Sequence, residues 1–354
     1  MTLGPLMTDF DGVELDDVDR EILRHPLVGG VILFSRNYEN PEQIHALINE
    51  LHALRSPKLL VAVDHEGGRV QRFRRGFTEL PSAAAIGALY DDDPAVALTA
   101  AEQSGWTMAI ELRSVGVDFS FAPVLDLRNP RSAVINDRAF HHDPQCVARI
   151  ARAYVNGVHQ AGMAAVGKHF PGHGTVAADS HVTLPVDNRS YYDIANTDMT
   201  PFRLLASAIE GVMPAHILYP KVDTEPAGFS AVWVKNILRQ ELAFQGIVFS
   251  DDLHMSGAAR GGDIDERAAV AIGAGCDIIL LCNDRSGTER LLSSFRAPVE
   301  PVTQVRLMRM HGKGHPGPLD QLLNDRRWIA ATESIGKIRQ AQAQELDLGD
   351  DMPA

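Results

Sequence analysis

Cysteine is scarce: Cys146, Cys276 and Cys282 are the only three in 354 residues. An odd number in a long chain, two of them in or beside an apolar run and none in a Cys-x-x-Cys pair, supports neither a disulfide framework nor a thiolate metal site. A reducing compartment is expected. Positive charge is also in deficit, since 33 Lys and Arg face 46 Asp and Glu and leave a formal charge of −13. Such a balance offers no electrostatic footprint for nucleic acid or for insertion at an anionic membrane. Long apolar runs are missing too: the longest, Ala271 to Cys282, is interrupted by Asp277 and is far shorter than the roughly 20 residues of a spanning helix. Met1 to Phe10 has no cationic stretch followed by the apolar segment of a secretory signal. These absences describe a soluble cytoplasmic protein.

What is present suits a folded chain with a sizeable core: 45% apolar residues, with 29 Gly and 20 Pro, exclude collagen and bulk disorder. Short runs rich in Val, Ile and Phe alternate with segments of helical period, the pattern of a parallel sheet built from βα units. Eight strands are expected, at Leu3 to Met7, Gly30 to Phe34, Leu59 to Val63, Val117 to Phe121, Ala164 to Lys168, Val212 to His216, Ile247 to Ser250 and Asp277 to Leu281. Between them, Asn40-Pro41, Asp93-Pro94, Asp143-Pro144 and Thr200-Pro201 each pair an N-cap side chain with Pro at the first helical position, where its missing N–H costs nothing. Ile44, Leu47, Ile48 and Leu51 form one apolar stripe on the first of these helices. Eight units in residues 1–295 predict a single α/β domain, a (β/α)₈ barrel of the TIM type. An open doubly wound sheet would put a Gly-rich phosphate loop after its first strand, and no GxGxxG follows Met7. Residues 296–354 read as a peripheral C-terminal appendage with a helix from Leu319 to about Gln344 and a frayed end.

A parallel barrel holds its site at the carboxyl ends of its strands, and the residues there are informative. Asp64-His65-Glu66-Gly67-Gly68-Arg69-Val70-Gln71-Arg72 follows the third strand. Asp126 and Asn136-Asp137-Arg138 follow the fourth, and Lys168-His169-Phe170-Pro171-Gly172-His173-Gly174, then Asp179-Ser180-His181, the fifth. His216 ends the sixth and Ser250-Asp251-Asp252-Leu253 the seventh. Taken singly, Asp64, Asp126 or Asp251 reads equally well as a cap of a turn or helix; together with the cations and histidines they read as a site. His169 and His173 have the spacing of paired metal ligands on a helix, but Pro171 and Gly172 lie between them, so no metal and no cofactor are expected.

The runs Val61 to Arg72, Gly167 to Gly174 with Asp179-Ser180-His181, and Val248 to Leu253 resemble glycoside hydrolase family 3. More narrowly they resemble its short bacterial branch, the cytoplasmic β-N-acetylglucosaminidases (β-hexosaminidases) of peptidoglycan recycling, from about residue 3 to 295. The resemblance implies Asp251 as nucleophile, His181 as acid/base, Asp179 orienting His181, and Asp64, Arg72, Arg138, Lys168 and His169 as sugar-binding positions. It implies removal of a terminal β-linked N-acetylglucosamine, from GlcNAc-1,6-anhydro-N-acetylmuramoyl peptides. His254 stands where the family has a small residue, and the pattern around Arg138 is looser than the other motifs.

Retaining hydrolysis needs one carboxylate to attack the anomeric carbon and one group to protonate the leaving oxygen. Asp251 offers the first; in an extended segment Asp251 and Asp252 point to opposite sides, so one of them should enter the pocket. A histidine titrating near 6.5 suits the second role, and the Gly- and Ala-containing loop Gly172 to His181 suits a dyad that swings in with substrate. Other readings of the same residues are a family 3 β-glucosidase, a glycoside phosphorylase, a metal-dependent amidohydrolase and a non-catalytic sugar sensor. The expected ligand is a small carbohydrate or muropeptide.

Overall fold

The computed structural model describes residues 2–130, 132–173, 176, 184–255, 257–258, 262–297, 300–314 and 316–350, with 342–350 as backbone only. Eight parallel strands close a barrel in chain order: Leu6–Thr8, Val28–Leu33, Leu60–Val63, Phe119–Ser120, Ala164–Phe170, Gly211–Pro214, Ile247–Asp252 and Ile278–Leu281. Pairing of Leu6, Met7 and Thr8 with Ile279, Leu280 and Leu281 closes the ring. All eight expected strands are present. The first is displaced towards its carboxyl end, and the fifth and seventh run two residues further than their apolar cores.

The strands are buried on both faces because helices cover the outside and side chains fill the inside. Within, Phe119, Phe121 and Phe249 pack with ring centroids 5.2 to 5.4 Å apart. Outside, Asn40 caps Pro41–Ala53 through Oδ1 to Gln43 N (2.9 Å), and the expected stripe of Ile44, Leu47, Ile48 and Leu51 is buried against the sheet. Asp93 and Asp143 cap Pro94–Ser114 and Pro144–Gln160 in the same way. These two helices meet through glycine: a Cβ on Gly157 would lie 2.0 Å from the Glu102 carbonyl oxygen, and one on Gly105 2.2 Å from that of Tyr154. Thr200-Pro201 departs from the expected start. The helix there is Met199–Leu205 with Asp198 at its N-cap. Pro201 falls third in the helix, still in the turn whose N–H groups lack intrahelical partners.

Beyond the barrel, residues 296–318 contain a helix that their composition did not announce, Pro301–Met310, with Leu307 and Met310 buried. Gln304 on this helix brackets Leu3, accepting from its N–H at 3.1 Å and donating to its carbonyl at 2.9 Å. Asp118, fully buried before the fourth strand, accepts from Val61 N and Gly312 N (both 3.0 Å) and faces His52, His311 and Lys58 at 3.4 Å. Burial opposes its charge, but the two imidazoles and Lys58 outweigh it and hold the carboxyl well below the usual range. Short Leu319–Leu322 and long Arg326–Asp350 helices complete the tail, with Trp328 donating from Nε1 to Glu111 at 2.7 Å. The three cysteines are free. Among the described residues no helix is long and apolar enough to cross a membrane.

Removing the Asp118 carboxylate strands donors from three segments in a dry environment. Asp118→Ala should therefore lose about 3 kcal/mol of unfolding free energy, read by denaturant titration. A loss under about 0.5 kcal/mol, the size of a surface substitution, would contradict the anchoring role.

Candidate active site

A cleft of about 530 Å³ opens at the carboxyl ends of the strands, floored by Phe121 and walled by Asp64, Arg72, Lys168, His169 and Asp251. That volume suits a small molecule. Each wall is placed by a strand end.

The third strand ends at Val63, and the chain continues through Asp64 into a hairpin of His65–Gly67 with Val70–Gln71. Gly67 and Gly68 hold φ of +110° and +54°, a region that side chains enter at a cost. At Gly67 a Cβ would also meet the Pro81 carbonyl at 2.5 Å. Because this segment is extended, Asp64 and Glu66, two apart, share a face. Lys168, on the fifth strand and only 3% exposed, meets both: Nζ lies 2.7 Å from Asp64 Oδ1 and 2.7 Å from Glu66 Oε1. Arg138 grips Glu66 in a bidentate pair, Nε to Oε2 and Nη2 to Oε1, each 2.8 Å. Arg72 stands 3.8 Å from the other Asp64 oxygen. The result is an alternating chain, Arg72, Asp64, Lys168, Glu66, Arg138. Burial opposes ionisation of Glu66, yet Arg138 and Lys168 overcome it and hold the carboxyl well below its usual range. Burial likewise lowers Lys168, and Asp64 and Glu66 more than reverse that.

His169 is held by Asp126, which is fully buried: Nδ1 is 2.7 Å from Asp126 Oδ2. An ionised carboxylate only accepts, so Nδ1 carries the proton there and Nε2 is the atom left to meet a ligand. Asp126 Oδ1 also accepts from the backbone N–H of His173 at 2.6 Å. Burial raises the Asp126 pKa, but His169 and His173 bring it below the ordinary value.

Asp251 and Asp252 end the seventh strand, and both line the cleft. This corrects the expectation from strict alternation that one alone would do so. The register between the seventh and eighth strands shifts from Phe249↔Ile278 to Asp252↔Leu280; three steps on one strand oppose two on the other, and such a bulge re-aims side chains. Asp251 Oδ1 accepts from Asp252 N at 2.9 Å, and Asp252 Oδ1 accepts from His254 N and Cys282 N, both at 3.0 Å. Burial pushes Asp252 up to about 6, the two backbone donors pull it down, and the charge of Asp251 adds to the rise. His216, buried behind this strand end, donates from Nε2 to the Asp252 carbonyl at 3.2 Å. It supports the strand end. His254 is exposed, 3.6 Å from Asp284 Oδ2.

The structure thus brings together Asp64, Arg72, Arg138, Lys168, His169 and Asp251. Arg138 turns both Nε and Nη2 to Glu66. Asp179 and His181 lie outside the described residues. Glu66 and Asp252 were not singled out as site residues; Asp126, read as cap or site, and His173, weighed as a metal ligand, had no assigned role. The i, i+2 relation of Glu66 to Asp64 was the available signal, together with a surplus of cations over the single carboxylate Asp64. Among the described residues no group of three or more His, Cys, Asp or Glu could hold a metal ion.

The sign of the Asp252 shift gives a stability test. A carboxyl raised from 3.8 to about 6 on folding contributes stability that is full below the unfolded value and is lost as pH rises through 6. Asp252→Asn, which keeps the backbone acceptor and has no charge, should match the wild type near pH 4 and exceed it at pH 7 by roughly 1–3 kcal/mol. Denaturant unfolding at both pH values reads this, and a variant equally destabilised at both would contradict it.

The model of the glycosyl hydrolase family 3 N-terminal domain matches residues 6–307. A β-hexosaminidase of Methylobacillus flagellatus is 51% identical over 342 residues, 96% of this chain and 98% of that protein. One of Thiobacillus denitrificans is 52% identical over 352 residues, 99% and 98% of the two. The crystal structure of native NagZ from Neisseria gonorrhoeae superposes with a TM-score of 0.91 at 43% identity, covering 96% of this chain and 98% of that one. A structure of the gonococcal protein with a zinc ion gives 0.90 at 42%, with the same coverage. An eight-stranded barrel with this charged rim, matched over almost its whole length, places the chain in glycosyl hydrolase family 3.

Proposed function

We propose that the chain is a retaining β-N-acetylglucosaminidase that removes a non-reducing terminal β-linked N-acetylglucosamine, acting on GlcNAc-1,6-anhydro-N-acetylmuramoyl peptides of peptidoglycan recycling in the cytoplasm. The observation that carries this is that the carboxylate of Asp251 shares one cleft of monosaccharide scale with Asp64, Lys168 and His169. The names and near-complete coverage of the β-hexosaminidases and of NagZ support the substrate class.

The chemistry assigns each group a step. Asp64, Arg72 and Lys168, with His169 through Nε2, hold the hydroxyls of the terminal sugar, and Arg138 holds Glu66 so that Lys168 stays charged in place. The Asp251 oxygen attacks the anomeric carbon as the glycosidic C–O bond breaks, and the His181 imidazolium gives its proton to the departing oxygen. The product is a glycosyl ester of Asp251. Neutral His181 then takes a proton from water, whose oxygen displaces Asp251 and returns the sugar with its original configuration. Asp179 orients His181 and stabilises its charged form. No metal takes part in these steps. We also assign the chemistry to residues 1–295, with 296–354 as a peripheral segment.

Substrate preference tests the reading. A chromogenic β-N-acetylglucosaminide should turn over well ahead of the matching β-glucoside, at a rate unchanged by added phosphate or by chelation. Preference for the glucoside, dependence on phosphate, or a zinc-restorable loss would select one of the other three chemistries.

The acid/base assignment has its own signature. His181→Ala should slow the glycosylation step by about 10²- to 10⁴-fold with a sugar alcohol as leaving group, and far less with a nitrophenolate, which departs without a proton. Pre-steady-state rates for both substrates measure this. Equal losses would make His181 a sugar-positioning residue.

A further inference from the structure

At the other end of the barrel lies a second cavity, of about 610 Å³, between the helix Met199–Leu205, the turn at 242–246 and the helix Pro301–Met310. It sits against Glu210 and Gly246, which precede the sixth and seventh strands. Four cations line it, in a chain whose overall charge is −13.

The partners of these groups are unevenly distributed. Arg306 is engaged, with Nη1 2.9 Å from Asp277 Oδ1 and Nε donating to the Gln245 carbonyl at 3.1 Å. Glu210 is the cavity's one carboxylate, and it is taken by His159 Nε2 at 3.1 Å and the N–H of Ala165 at 2.9 Å. Arg203, Arg309 and Lys313 form no ion pair with a carboxylate among the described residues. Their backbones come from three separate elements. That of Lys313 is pinned, its N–H donating to Gly162 O at 2.7 Å and its carbonyl accepting from Arg113 Nη2. The larger apolar side chains of the wall are Ile209 and Leu242, and both are buried.

We propose that this cavity binds a small organic phosphate. Arg203, Arg309 and Lys313 are exposed and line one hollow, so a multiply charged anion bound there would meet all three. Guanidinium groups match phosphate oxygens in bidentate geometry, and an ammonium adds a point charge. Ile209 and Leu242 offer a ring or carbon skeleton the apolar contact that inorganic phosphate cannot use. The site is at the opposite end of the barrel from the cleft, so its ligand does not compete with the sugar.

Isothermal titration of the full chain with phenyl phosphate, at low salt, tests this. One equivalent should bind, more tightly than inorganic phosphate, and the double variant Arg203→Ser/Arg309→Ser should weaken binding by at least about tenfold while chromogenic turnover is unchanged. Absence of heat with the wild-type chain, equal affinity in the variant, or equal affinity for inorganic phosphate would overturn the proposal. Association with phosphatidylglycerol vesicles without phenyl phosphate binding would overturn it in favour of a membrane-facing surface.

Discussion

An ammonium group taken out of water is costly unless carboxylates follow it. Lys168 is such a group at the mouth of the cleft: it is 3% exposed, and Asp64 and Glu66 each approach to 2.7 Å. Two anions around one cation need further positive charge, which Arg138 supplies to Glu66 and Arg72 to Asp64. This alternation joins the ends of the third and fifth strands to the loop that carries Arg138. Arg69 steadies that loop from outside through Asp137 at 2.7 Å. This wall of the cleft is therefore prearranged by electrostatics.

A second constraint acts at the other end. Asp118 and Asp277 sit at the amino-terminal face, one gathering Val61, Gly312 and two histidines, the other Val248, Arg239, Thr303 and Arg306. Polar groups at this end tie strands to the C-terminal helix Pro301–Met310, while polar groups at the carboxyl ends face the cleft. That separation of stability from chemistry is what a parallel barrel permits.

The barrel was legible because each of its strands is an apolar run and because Asn40, Asp93 and Asp143 advertise helix starts. The helix Pro301–Met310 was hidden by the Pro, Gly, Arg and His around it, since its stability comes from docking Leu307 and Met310. In the site, Asp64, Lys168 and Asp251 were visible as polar residues ending apolar runs. Glu66 was masked by its neighbours in a charged stretch, and the part of Asp126 as partner of His169 depends on a contact across 43 residues that spacing does not show. The shared access of Asp251 and Asp252 to the cleft could not be read from alternation, because it depends on a register shift between two strands that are distant in sequence.

The account rests on Asp251 as the group that bonds to sugar. Its environment is consistent with that role: it lines the cleft, and its Oδ1 accepts the N–H of Asp252 at 2.9 Å. The most direct measurement is trapping with a fluorinated N-acetylglucosamine analogue that slows breakdown of the glycosyl ester, followed by peptide mapping of the label. The account predicts one label per chain, on Asp251. A label on Asp252, or none while the sugar is turned over, would contradict it.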